Sequence, residues 1–186
     1  MTGITILTSG STISLAGILA ATDMIGSFFG QAGVVLALGL GAFGSALGIG
    51  VAGQAAAGAW AKEGKAGRNL SFTYIILTGM PISQTLYAMI VMNKMRDVLA
   101  QPEVAAVNAG LLLGIGLATG MGEMLSAWMQ GLIGAAGVRS LSESEGKGFA
   151  FLLIAMGIVE TVGIFTMVFM LGMIPKLAQV AAAVGG

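Results

Sequence analysis

Long apolar runs, separated by short polar stretches, set the pattern of the chain. From about residue 33 to 61 the run is mostly Gly, Ala, Leu and Val, and it ends at a charged group, Lys62, Glu63, Lys65 and Arg68. A second run, from about residue 70 to 94, carries larger side chains such as Phe72, Tyr74, Ile75, Leu77 and Tyr87. A polar connection at residues 96–103 leads to another glycine-rich run, about 107–138. A polar turn at 139–147 follows, and then a bulky run, about 148–174, that closes at Pro175 and Lys176. Each run is long enough to cross a hydrocarbon core of ~30 Å, which takes about 20 helical residues, so the pattern predicts four transmembrane helices. The polar and apolar alternation that a membrane barrel needs is absent.

Ahead of these spans, the apolar run of residues 4–21 is broken by Thr8, Ser9, Gly10, Ser11 and Thr12 and followed by Asp23. It lacks the basic start of a secretory signal. Residues 1–30 are expected to form a tail or short interfacial helix, residues 31–97 a first helical hairpin, 98–178 a second, and 179–186 a C-terminal tail.

The order glycine-rich helix, turn, bulky helix occurs twice. Setting Gln84 against Glu160 aligns Leu77 with Leu153, Met80 with Met156, Ile82 with Ile158 and Thr85 with Thr161. The same spacing pairs Gly44 with Gly120, Gln54 with Gln130 and Gly58 with Gly134. The expected fold is an all-α membrane protein of four transmembrane helices, arranged as two parallel-repeat hairpins after a short N-terminal segment. A parallel repeat counts against the inverted-repeat transporter plans.

Two segments place polar groups where a span is deepest: Met80-Pro81-Ile82-Ser83-Gln84-Thr85-Leu86-Tyr87 and Met156-Gly157-Ile158-Val159-Glu160-Thr161. A charge at that depth costs roughly 3 kcal/mol on insertion scales, so it reads as functional. Pro81 should free a carbonyl near residue 77 and bend its helix, offering an oxygen that must find a partner. Gln130 and Glu160 lie equally far from residue 145 in the second turn, so antiparallel packing brings them to one depth, some 20 Å past the turn at ~1.5 Å per residue. Gln84 and Glu160 are therefore read as parts of one cation site.

Composition narrows the chemistry. Of 186 residues, 56% are hydrophobic and 9% charged, and the eight basic and eight acidic residues cancel, which leaves no electrostatic footprint for nucleic acid. With no cysteine and no histidine, disulfide, thiolate and imidazole chemistry are excluded. No P-loop or nucleophile constellation is present, so the chain is expected to catalyse nothing by itself. The 31 glycines fall inside apolar runs, where small residues let helices approach closely; Gly44 and Gly48 form a GxxxG pair. Lys62, Lys65, Arg68, Arg139 and Lys147 lie at the first and third turns, against Lys94, Arg96 and Lys176 on the other side, which predicts that those two turns are cytoplasmic.

Residues 31–175 resemble the duplicated proteolipid, the K or c-type rotor-ring subunit, of prokaryotic sodium-translocating vacuolar-type rotary ATPases. That family has a leucine-proline-glycine-threonine-glutamine segment in helix 2, a glutamine in helix 3 and a glutamate in helix 4. Here the segment reads Met80-Pro81-Ile82-Ser83-Gln84, with Gln130 and Glu160 in the later helices. The resemblance implies an ion held by the Met80 backbone oxygen, Ser83, Gln84, Gln130 and Glu160, with Tyr87 hydrogen-bonded to the glutamate. Serine for threonine, isoleucine for glycine and a second turn one residue longer depart from the family, and none removes an oxygen. Five hard oxygens with one negative charge suit a monovalent cation, sodium, with a proton as the alternative.

The resemblance further implies a closed ring of identical copies in the cell membrane, with helices 1 and 3 inside and helices 2 and 4 facing lipid. The ring would turn against a stator membrane subunit that offers an arginine, linked through central-stalk subunits to a soluble head that hydrolyses or makes ATP. With Gln84 in place of a carboxylate, each copy carries one ion, a ratio that suits pumping. Glu123, seven residues before Gln130, is left outside the site as a structural group, although a ring-lumen position or a place on the exit path is also open. A different reading is a small secondary cation carrier or channel that uses Glu123 and Glu160; a third is a structural membrane protein.

Overall fold

The computed structural model describes residues 5–8 and 11–176, so the tail expected at 179–186 lies outside the described residues. Two short strands rich in β-branched residues, β1 (Thr5–Thr8) and β2 (Ser11–Ser14), pair antiparallel, and everything after them is helical. Helix α1 (Leu15–Lys65) runs for 51 residues without a break. It starts well ahead of the residue 33 expected for the first span, and the separate N-terminal helix is instead its first turns. Between Leu15 and Gly33 there is no proline to break a helix, and from Met24 to Ala61 no charge to end the apolar run. At ~1.5 Å per residue α1 extends about 77 Å, far more than a bilayer core.

The second span is α2 (Thr73–Gly79), a 3₁₀ turn (Met80–Ile82) and α3 (Ser83–Leu99). Pro81 has no N–H to give Leu77, and the chain tightens there before the α-helix resumes. Helix α4 (Pro102–Glu143) opens with proline in its first turn, where no intrahelical donor is lost. Helix α5 (Phe149–Met173) completes the four helical spans.

The core of the bundle is a parallel pair, α1 on α4, whose contact is made by glycine. Gly33 lies on Leu112, Gly44 on Met124, and Gly48 on Ala127 and Gly131, while Gly116 faces the Gly33 carbonyl. A Cβ at Gly116 or Gly131 would fall inside the opposing backbone. Residue numbers rise together on both helices, which shows that the repeat is parallel. In this packing Gly44 meets Met124, one helical turn beyond its repeat mate Gly120.

Both turns end their helices alike. Gly67 (φ 68°) lets Arg68 N–H reach Glu63 O at 2.9 Å, and Glu145 (φ 54°) lets Gly146 N–H reach Leu141 O at 2.8 Å. Arg68 Nη1 also donates to Ser142 O at 3.2 Å, so the two turns sit side by side at one end. A non-glycine residue in the left-handed region costs about 1 kcal/mol. Glu145→Gly is thus expected to stabilise the detergent-solubilised protein by about that amount, read as a raised thermal midpoint; a lowered midpoint counts against this reading of the turn.

Below the turns, Tyr74, Leu77, Val138, Leu141 and Met156 form one apolar cluster, and Val34, Val91, Met95, Val98, Leu112 and Ile115 form another at the far end. Between them lies a band of buried polar side chains.

Candidate cation site

The band is assembled from three helices. Ser83 and Gln84 open α3 immediately after the proline turn, so the turn that Pro81 imposes also aims them. Gln84 is fully buried, and its Nε2 donates to Ser126 Oγ on α4 at 3.2 Å. Ser126 in turn donates to Val159 O on α5 at 3.0 Å. The single proton of the Ser83 hydroxyl has two acceptors at 3.1 Å, Met80 O and Gln84 Oε1.

One turn after Ser83, Tyr87 donates its hydroxyl to Glu160 Oε1 at 2.9 Å. From the other flank, Gln130 Nε2 reaches Glu160 Oε2 at 3.4 Å and Met156 O at 3.2 Å. The carboxylate, half-buried, is thereby held between a phenol on α3 and an amide on α4. Among the described residues the single ion pair is Lys94 with Asp97 on the surface, so no cation neutralises Glu160. An ionised Glu160 has only these neutral dipoles around it, which is an incomplete shell for a charge in a membrane.

Ser83, Gln84, Tyr87, Gln130 and Glu160 are all brought together. Met80 O is placed differently from a free carbonyl, because the 3₁₀ turn gives it the Ser83 N–H as well as the hydroxyl. The carbonyl that Pro81 deprives of its donor, Leu77 O, lies over Gly134. Pro81 is buried, and the missing side chain of Gly48 makes room for its ring. Ser126 was not anticipated from the sequence. Its position three residues after Glu123 and four before Gln130, on one helix face, was the available signal.

Two other polar groups separate from the site. Gln54 is exposed and lines a groove of about 280 Å³ with Gly58, Lys62 and Arg139 near the turns. It does not share the depth of Gln130, because Gly48 already packs beside Gly131. Glu123 is fully buried between Gly41 of α1 and Gly163 of α5, which rules out a lumen-facing position.

A search of curated proteins found no match to the chain. The family model for the C subunit of ATP synthase matches it twice, over residues 32–93 and 113–173. Each match covers one glycine-rich helix, its turn and the bulky helix that follows, and the second contains both Gln130 and Glu160. Two matches over most of the chain, on two parallel hairpins, place this protein in the ATP synthase C-subunit family of non-catalytic, ion-carrying proteolipids that form membrane rotor rings.

Proposed function

We propose that this chain is the rotor-ring subunit of a vacuolar-type, sodium-translocating rotary ATPase, carrying one sodium ion per protomer on Glu160. The observation that carries this reading is a lone carboxylate clasped by Tyr87 and Gln130 and adjoined by the neutral oxygens of Ser83 and Gln84. Gln130 supplies a ligand by turning its amide, since Oε1 is buried without a hydrogen-bond partner while Nε2 faces the carboxylate. Rotation of the Ser83 hydroxyl proton likewise frees lone pairs on Ser83 and Gln84 for the ion. Met80 O accepts from both the Ser83 N–H and the Ser83 hydroxyl, so it joins the ligands once that hydroxyl proton turns away.

Rotation follows from charge. A loaded site is neutral and passes through lipid, whereas an empty Glu160 is an anion that halts beside an arginine of the stator. The exposed apolar stripe of α5, including Phe151, Ile154, Ile158, Phe165 and Phe169, suits the lipid-facing side of such a ring, with α1 and α4 inside. The basic residues at the adjoining turns favour a cytoplasmic location for that end in the cell membrane, where the central stalk docks.

Modification of Glu160 by a hydrophobic carbodiimide in assembled rings tests the cargo. Sodium should slow the reaction and potassium should not; no protection by sodium sinks the sodium reading and leaves the proton. Gln84→Leu removes one neutral oxygen and keeps the shape. A hydrogen bond or ligand to a charged group is worth about 1.5–3 kcal/mol, so the sodium concentration for half-protection should rise at least about tenfold. An unchanged concentration removes Gln84 from the ligand set.

A further inference from the structure

The Glu160 site leaves the most deeply buried carboxylate of the bundle unused. Glu123 has no exposed surface, and neither carboxylate oxygen has a hydrogen-bond partner. One turn earlier on the same face of α4, Thr119 is equally buried and its Oγ1 is also unpartnered. Ser126 Oγ follows less than one turn after Glu123. Glycines make the space: a Cβ at Gly163 of α5 would stand 2.6 Å from Glu123 Oε2 and 3.3 Å from both Ser126 Oγ and Gln84 Cγ. On the α1 side, a Cβ at Gly41 would lie 3.4 Å from Glu123 Cβ. The apolar cluster of Leu112, Ile115, Val91 and Met95 closes one end.

We propose that Glu123, Thr119 and Ser126 form a second sodium site, enclosed within each protomer. A buried carboxylate without a counter-charge costs several kcal/mol, and no lysine or arginine pairs with this one among the described residues. Two carboxylate oxygens and two hydroxyl oxygens give hard ligands with one negative charge, which a monovalent metal ion balances and a divalent one does not. A proton on Glu123 is the competing occupant, since it too cancels the charge and lets the acid and the Thr119 hydroxyl bond each other. The two sites differ in access. Glu160 is half-buried at the α5 surface, so its ion exchanges at each step, while the ion at Glu123 travels with the ring. It adds nothing to the number of ions transported per turn.

Intact rings in detergent, stripped in sodium-free buffer and equilibrated with radioactive sodium, give the count directly. Two ions per wild-type protomer are expected, one of them slow to leave, with one remaining in Glu123→Gln and one in Glu160→Gln. A single wild-type ion that is lost in Glu160→Gln and kept in Glu123→Gln overturns the proposal and leaves the Glu160 site standing. A single ion lost only in Glu123→Gln supports the enclosed site and sinks the Glu160 cargo instead. If Glu123→Gln does not assemble, Thr119→Val removes one oxygen at nearly constant shape and should speed release of the slow ion at least about tenfold; an unchanged slow phase overturns the proposal. An infrared carboxylic-acid band in sodium-saturated Glu160→Gln rings, absent once Glu123 is also replaced, would assign a proton there and overturn it too.

Discussion

Replacing Glu160 with glutamine is expected to end ATP-driven sodium uptake by the reconstituted complex, while rings still assemble. The substitution keeps the size of the side chain and leaves an acceptor for the Tyr87 hydroxyl, which donates to Glu160 at 2.9 Å. What it removes is the one charge of the site. At ~4 Å and the effective dielectric of a partly buried pair, the attraction between that charge and a cation is about 4 kcal/mol, roughly a thousandfold in affinity. The same charge is what an arginine on the stator would sense, so binding and the rotary pause are lost together. Uptake of radioactive sodium into proteoliposomes should fall to the level of ATP-free controls. Uptake within about tenfold of wild type would show that the ion is carried elsewhere.

Gly116→Val is expected to have an equally large effect through a different cause. Gly116 meets the Gly33 carbonyl across the α1–α4 contact, and even a Cβ has no space there. The obstacle is backbone, which cannot rotate away as a side chain can, so the helices must separate. Overpacking a core site costs typically about 1–3 kcal/mol, and here the separation also weakens the neighbouring contacts of Gly33, Gly44 and Gly48. The variant should yield no ring on a native gel and a markedly lowered thermal midpoint in detergent. Gly114→Val provides the contrast, because a Cβ at Gly114 meets nothing within 4 Å inside the protomer. Equal behaviour of the two variants, with the protomer unfolded in both, would count against a glycine-made α1–α4 seam.

Glu160 and Gln84 occupy corresponding places in the two bulky spans, and the difference between them organises the site. Had both been carboxylates, two charges would need two cations within one hairpin pair. As an amide, Gln84 instead donates to Ser126 and accepts from Ser83, so it orders the neighbourhood of the remaining charge without competing for the ion. Duplication thus supplies a scaffold, and in the proposed site the amide at residue 84 leaves Glu160 as the single charge there.

The hydrophobic pattern alone determined four spans in two parallel hairpins, since the cost of leaving apolar runs in water and charges in lipid depends on composition and length and not on detail. It also singled out Gln84, Gln130 and Glu160, because a polar group deep in a span is costly enough to need a purpose, while Ser83 and Tyr87 entered through the family resemblance. Tertiary structure decided what depends on contact. Helix α1 begins at Leu15 and runs on through the first span without a proline to break it, and composition could not show where an unbroken helix leaves the membrane. The register of α1 on α4 follows from which glycine meets which backbone, a choice that many glycines on each helix left open. Ser126 is common and nearly neutral as a lone residue, and it joined the site only once α4 was seen packed between Gln84 and Val159. Glu123 was legible as a costly charge, yet only the packed bundle, with glycines cleared on two sides and neither oxygen partnered, made it a second place for a cation.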